Sequence, residues 1–138
     1  MTDFKVHGPF TVPVRAGRKI DRQALNDFWN ETVGEELTNS RGCYVFAMAQ
    51  GRGSLPVYVG MTRRQVFARE CLNDRNQLSL NEVLEGRGKL VLHLIAHAGR
   101  GRLNESAILE LEKYLIDIAA DRNPEILNRT ASASQNGR

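Results

Sequence analysis

Residues 42–60 read Gly-Cys-Tyr-Val-Phe-Ala-Met-Ala-Gln-Gly-Arg-Gly-Ser-Leu-Pro-Val-Tyr-Val-Gly. Two short apolar runs, Cys43–Ala49 and Leu55–Met61, flank a Gly-rich turn, the pattern of an antiparallel hairpin. Each run carries a tyrosine beside a glycine, in Gly42–Tyr44 and Tyr58–Gly60. A strand, a turn and a returning strand hold two such phenols near each other in space. The first two strands are too close for a crossover helix, so parallel βαβ winding is disfavoured. The expected fold class is α+β: a small three-stranded antiparallel sheet flanked by helices, with an N-terminal strand-plus-helix extension.

Outward from the hairpin, Lys89–Ala98 is the third strand. Leu90, Leu92, Leu94 and Ala96 should face one way, with Val91, His93, Ile95 and His97 on the other. Phe4–Val14 alternates loosely and holds Pro9 and Pro13, which suits an edge strand. Asp21 is placed to cap a helix over 22–33, where Leu25, Phe28, Trp29 and Val33 recur at helical spacing. Gly34 ends it, and 35–40 reads as a polar connector. Arg64–Asn73 reads as a helix, 78–85 as a short helix or loop, and Asn104 caps a long helix through Ala120 that Asn123-Pro124 stops. One structural domain of 138 residues results, with 1–40 packed on a core of 41–130 and a frayed tail over 131–138.

No apolar run approaches a membrane span and the N-terminus lacks a signal-like core, so the expected address is the cytoplasm. Cys43 and Cys71 are the only cysteines and form no Cys-x-x-Cys or Cys/His spacing, so neither a disulfide framework nor a zinc site is indicated. The net charge of +3 is segregated. Leu37–Arg69 holds no acid but five arginines, and Gly86–Arg102 holds no acid but four basic residues. Acids gather in Asp21–Glu36 and Glu105–Glu125. Such segregation presents a positive face of the kind that binds polyphosphates, although a basic patch alone selects no ligand.

The long helix contains one carboxylate out of place. Glu105, Glu110, Lys113, Asp117 and Asp121 form its polar stripe, while Ile108, Leu111, Leu115, Ile118 and Ala119 form its core stripe. At ~100° per residue Glu112 falls with the core stripe, about 200° from Glu110. An ionised carboxylate there needs a cation, a set of donors or a metal ion. Pairing with one of the many arginines and a functional role both satisfy that need.

Taken together, the residues resemble the GIY-YIG nuclease family over roughly 41–129. Its two tripeptides are matched by Gly42-Cys43-Tyr44 and Tyr58-Val59-Gly60, each with one apolar change at the centre. Its helical arginine is matched by Arg69 with a one-residue slip, Ala68 standing at the usual position; Arg63 or Arg64 could take its place. Its helical glutamate is matched by Glu112 and its closing Pro-x-x-Asn by Asn128 after Pro124. Some members carry a histidine one turn beyond the arginine, where this chain has Asn73. Phe67-Ala68-Arg69-Glu70-Cys71 also resembles a less-studied branch that has the N-terminal strand and Trp-bearing helix.

The resemblance implies hydrolysis of DNA phosphodiesters with one Mg²⁺ or Mn²⁺ ion. Glu112 would be the sole protein carboxylate on the ion, leaving other positions to water and phosphate oxygens. The ion would stabilise the departing 3′ oxygen while Arg69 neutralises charge on the phosphoryl group. Tyr44 would hold or deprotonate the attacking water. A free phenol has a pKa of ~10, so positive neighbours must assist it. Tyr58 would hydrogen-bond phosphate or water, and Asn128 would tie the chain end to the site. Arg63, Arg64, Arg100 and Arg102 would contact nucleic-acid phosphates.

Each residue also has a plain structural use: strand tyrosines pack, strand glycines end strands, and His93 and His97 share a face without a third ligand. A nucleic-acid-binding or scaffolding domain on the same fold is the alternative to a nuclease, and a module for an acidic protein partner is a third. RNA is left open beside DNA. Specificity is left to the core's loops, a homodimer or a partner protein, since neither zinc-finger spacing nor a helix-turn-helix is evident.

Overall fold

The computed structural model describes residues 3–13, 20, 22–51, 53–72, 80, 89–98 and 103–128. Strand β1 (Asp3–Thr11) leads to helix α1 (Arg22–Asp27), which continues as a π-helical turn (Phe28–Val33) and then helix α2 (Glu35–Thr38). Strands β2 (Gly42–Gln50) and β3 (Gly53–Met61) form the hairpin, followed by the short helix α3 (Phe67–Glu70). Strand β4 (Lys89–Ala98) and helix α4 (Glu105–Arg122) complete the described elements.

The fold is α+β, with one antiparallel sheet in the order β1-β4-β2-β3. The sheet has four strands rather than the expected three. Strand β1 is not an appendage: it adds to the free edge of β4, with Val6 opposite Ile95 and a register shift between His7 and Phe10. Its one proline, Pro9, is compatible with this place because an edge strand leaves half its backbone unpaired, and Pro13 falls just beyond the strand.

The pleat sorts side chains onto two faces as the alternation in β4 requires. On one face Tyr44, Phe46, Met48, Leu90, Leu92 and Leu94 pack against Leu25, Phe28, Trp29, Phe67 and Leu80. On the other, Cys43, Ile95 and Val59 pack under Ile108, Leu111, Leu115 and Ala119 of α4. The N-terminal segment therefore supplies the cover of the first face and α4 that of the second.

Three local readings are corrected. Helix α3 begins at Phe67, not Arg64, because the backbone N–H groups of Arg63, Arg64 and Gln65 turn to the Glu70 carboxylate instead of a helical ladder. The connector at 35–40 contains α2, whose Thr38 hydroxyl donates to the Trp29 carbonyl at 2.9 Å. The helix over 22–33 changes pitch at Phe28, and Gly34 N–H closes on the Trp29 carbonyl at 3.1 Å. Asn104 does cap α4, its Oδ1 accepting from Ala107 N–H at 3.0 Å. The expected helix at 78–85 lies outside the described residues except for Leu80, which is helical and buried, and the tail at 131–138 lies wholly outside them.

The second hairpin strand is a sheet edge, and the segment after α4 closes it. Asn123 Nδ2 donates to the Pro56 carbonyl at 2.7 Å. Asn128 takes both polar groups of Val59: its Oδ1 accepts from the N–H at 2.6 Å and its Nδ2 donates to the carbonyl at 2.5 Å. Two asparagine amides thus do for β3 what a fifth strand would do, and the edge offers less to a foreign chain.

Candidate functional site

Antiparallel register sets Tyr44 opposite Gly60 and Phe46 opposite Tyr58, so the two phenols lie diagonally on one face. Their ring centroids are 6.3 Å apart, with the planes tilted by 40°. Tyr44 is buried and lies across Gly60: a Cβ built there would come within 2.5 Å of its Oη. Gly60 is the residue that lets this ring cross toward the edge of the sheet. Gly42 is fixed by a similar close approach, since a Cβ there would run into the backbone carbonyl of Ile95. The glycines of both tripeptides are packing requirements and do not merely end strands.

Glu112 is half-buried on α4, one turn after the fully buried Ile108. Loss of water raises its pKa above the usual 4.5, while Arg63 and Lys113 act in the opposite sense. Among the described residues it forms no hydrogen bond or close ion pair, which the simple pairing with an arginine would have required. Its neighbour across the packing is Cys43, whose thiol is pushed up to about 12 by burial and by the Glu112 charge. The same thiol donates to the Ile108 carbonyl at 3.3 Å.

Cys43 and Tyr44 are consecutive in β2, so they point to opposite faces. The structure therefore brings Tyr44 and Tyr58 together on the face covered by the N-terminal helices. Glu112 sits on α4, the helix that covers the other face, beside Cys43. Asn128 is bonded to the edge strand β3 at Val59, between Tyr58 and Gly60.

Arg63 and Arg64 are exposed in the bend after β3, and Arg69 is exposed on α3. Arg100 and Arg102 lie outside the described residues. Two residues that hold this basic region have no signal of their own in the sequence. Glu70 gathers the three N–H groups of Arg63, Arg64 and Gln65. Arg41 donates from Nη2 to the Arg63 carbonyl and to Glu105 Oε1, the latter at 3.3 Å. Arg41 also lines an open depression of about 620 Å³ with Leu103, Asn104, Glu105 and Ser106. Arg41's partners are 22 and 64 residues away, and Glu70 serves backbone N–H groups of the preceding bend and not of its own helix, so neither role shows as a side-chain spacing.

Among the described residues no three His, Cys, Asp or Glu side chains cluster as a metal cage. A single unpaired carboxylate that has lost part of its water fits an ion of the Mg²⁺ type, which keeps several waters and relies on substrate phosphate. His93 and His97 are not part of such a set: His97 Nε2 accepts from Asn104 N–H at 3.1 Å, and burial lowers the pKa of His93. No family model, no curated protein and no solved structure matches this chain.

Proposed function

We propose that the chain is a divalent-metal-dependent endonuclease that hydrolyses DNA phosphodiester bonds at the edge of β3. The observation that supports this most is Glu112, a partly desolvated carboxylate without a close partner among the described residues, beside Cys43 and within the field of Arg63. Keeping an ionised group there costs stability, and a structural role would have called for a paired cation.

Glu112 would hold one Mg²⁺ or Mn²⁺ ion, which when bound offers positive charge to phosphate oxygens. The exposed guanidinium groups of Arg63, Arg64 and Arg69 draw the phosphate to this end of the sheet and neutralise charge that builds on it. Tyr44, once ionised to its phenolate with the help of positive charge at the site, orients the attacking water and takes its proton, and Tyr58 steadies the phosphate by hydrogen bonding. The P–O3′ bond breaks as the new P–O bond forms, and the 3′ oxygen leaves with a proton from solvent. Asn128 holds β3 in place beneath both phenols. Nicking of supercoiled plasmid in Mg²⁺ or Mn²⁺ tests this: the wild type nicks, Glu112→Ala does not, and equal nicking by both contradicts the assigned role.

A second reading, a nucleic-acid-binding domain without turnover, is favoured by one observation. The phenols lie on one face of the sheet, whereas Glu112 belongs to α4, which packs on the other. That reading expects salt-sensitive binding and no cleavage in any divalent metal.

A further inference from the structure

The bend at 63–65 carries two of the exposed arginines, and its backbone is tied from both sides. Glu70 Oε2 accepts from Arg63 N–H, and Oε1 accepts from Arg64 and Gln65 N–H at 3.0 and 3.2 Å. Arg41 donates to the Arg63 carbonyl from the other side and is itself held by Glu105 at 3.3 Å. Glu70 rides on α3, which is anchored by the fully buried Phe67 and followed by the fully buried Cys71, so its carboxylate is set by the core. This is more than a capping box, where the glutamate reaches one N–H at the helix start. Here the residues served precede the cap residue Val66.

We propose that Glu70 is a positioning residue for phosphate recognition: its carboxylate shapes the 63–65 bend so that the Arg63 and Arg64 side chains project together beyond the end of β3. The proposal rests on the nuclease reading of the same site. A carboxylate beside two phosphate-binding arginines opposes a polyanion by charge alone. Its use is to collect three N–H groups that would otherwise point apart, and so to fix two flexible cations in one direction at less entropic cost on binding.

The sign of one substitution separates these effects. Glu70→Gln keeps the size, removes one acceptor oxygen and removes a negative charge. Charge alone predicts tighter binding to a DNA duplex. Positioning predicts binding weaker by roughly tenfold at low salt and a slope of log K against log salt smaller by about 1–2, since each lost phosphate contact accounts for ~0.9. Amide exchange at residues 63–65 should rise in the free variant. Arg63→Ala/Arg64→Ala should show a similar loss of affinity and slope, with little further loss on adding Glu70→Gln, and this comparison holds even if the Gln variant alone folds poorly.

Unchanged or tighter duplex binding by folded Glu70→Gln overturns the proposal and leaves the nuclease reading standing. So does unchanged affinity in Arg63→Ala/Arg64→Ala. A lowered melting temperature with intact affinity assigns Glu70 to stability alone and also overturns it. Wild-type protein that neither binds nor cleaves DNA overturns the nuclease reading, and the proposal with it.

Discussion

Gly60 and Tyr44 act as one unit, and their coupling explains why a glycine closes the second tripeptide. Gly60→Ala places a methyl group into the Tyr44 ring, an overpacking that costs about 1–3 kcal/mol. Thermal unfolding should show a drop of several degrees, partly recovered in a Tyr44→Leu background; equal losses in both backgrounds would refute the coupling. Glu112 behaves in the opposite way. Its folded pKa is raised, so the folded state favours the protonated acid, and stability from this group is present below its usual 4.5 and lost as pH rises through the folded value. Glu112→Gln should therefore melt higher than the wild type at pH 7, with the difference shrinking toward pH 4. A lower melting temperature at pH 7 would show that the carboxylate is held by a favourable partner.

At the scale of elements, the asparagines after α4 hold the edge strand. Asn128→Ala leaves the N–H and carbonyl of Val59 without their partners, a loss of about 1–3 kcal/mol. Hydrogen exchange should report a faster Val59 amide while amides of β4 stay protected; an unchanged Val59 rate would contradict the edge-closing role. The strands and α4 were legible in the sequence because their periodicity is local: Leu90, Leu92 and Leu94 alternate, and Ile108, Leu111 and Leu115 recur at helical spacing. The start of α3 is not, because Arg64 and Gln65 have ordinary helix propensity and only the Glu70 side chain, five and six residues on, draws their N–H groups out of a helical ladder. The edge character of β1 is legible from its prolines, but its partner is not, since joining β4 is a long-range pairing that alternation in one strand does not specify.

Across the whole molecule, the candidate site is divided, with the phenols on one face of the sheet and Glu112 on the helix that packs over the other. The pairing of Tyr44 with Tyr58 follows from hairpin geometry and could be read from residues 42–60. The position of Glu112 on the core side of α4 could also be read, from a helical angle. That these features belong to opposite faces could not, because nothing in the sequence states which face α4 covers. Arg63, Arg64 and Arg69 are all exposed within the segment that follows β3, so DNA binding should fall steeply with salt, and a flat dependence between 50 and 200 mM would remove phosphate recognition from the picture. The most direct measurement is the single-turnover rate of DNA cleavage in Mg²⁺ at pH 7 for wild type and Glu112→Gln. The expected result is a variant that melts higher yet cleaves at least ~100-fold more slowly, the scale of losing one electrostatic catalytic group. A variant that cleaves as fast as the wild type, or a wild type that does not cleave, would contradict the role given to Glu112.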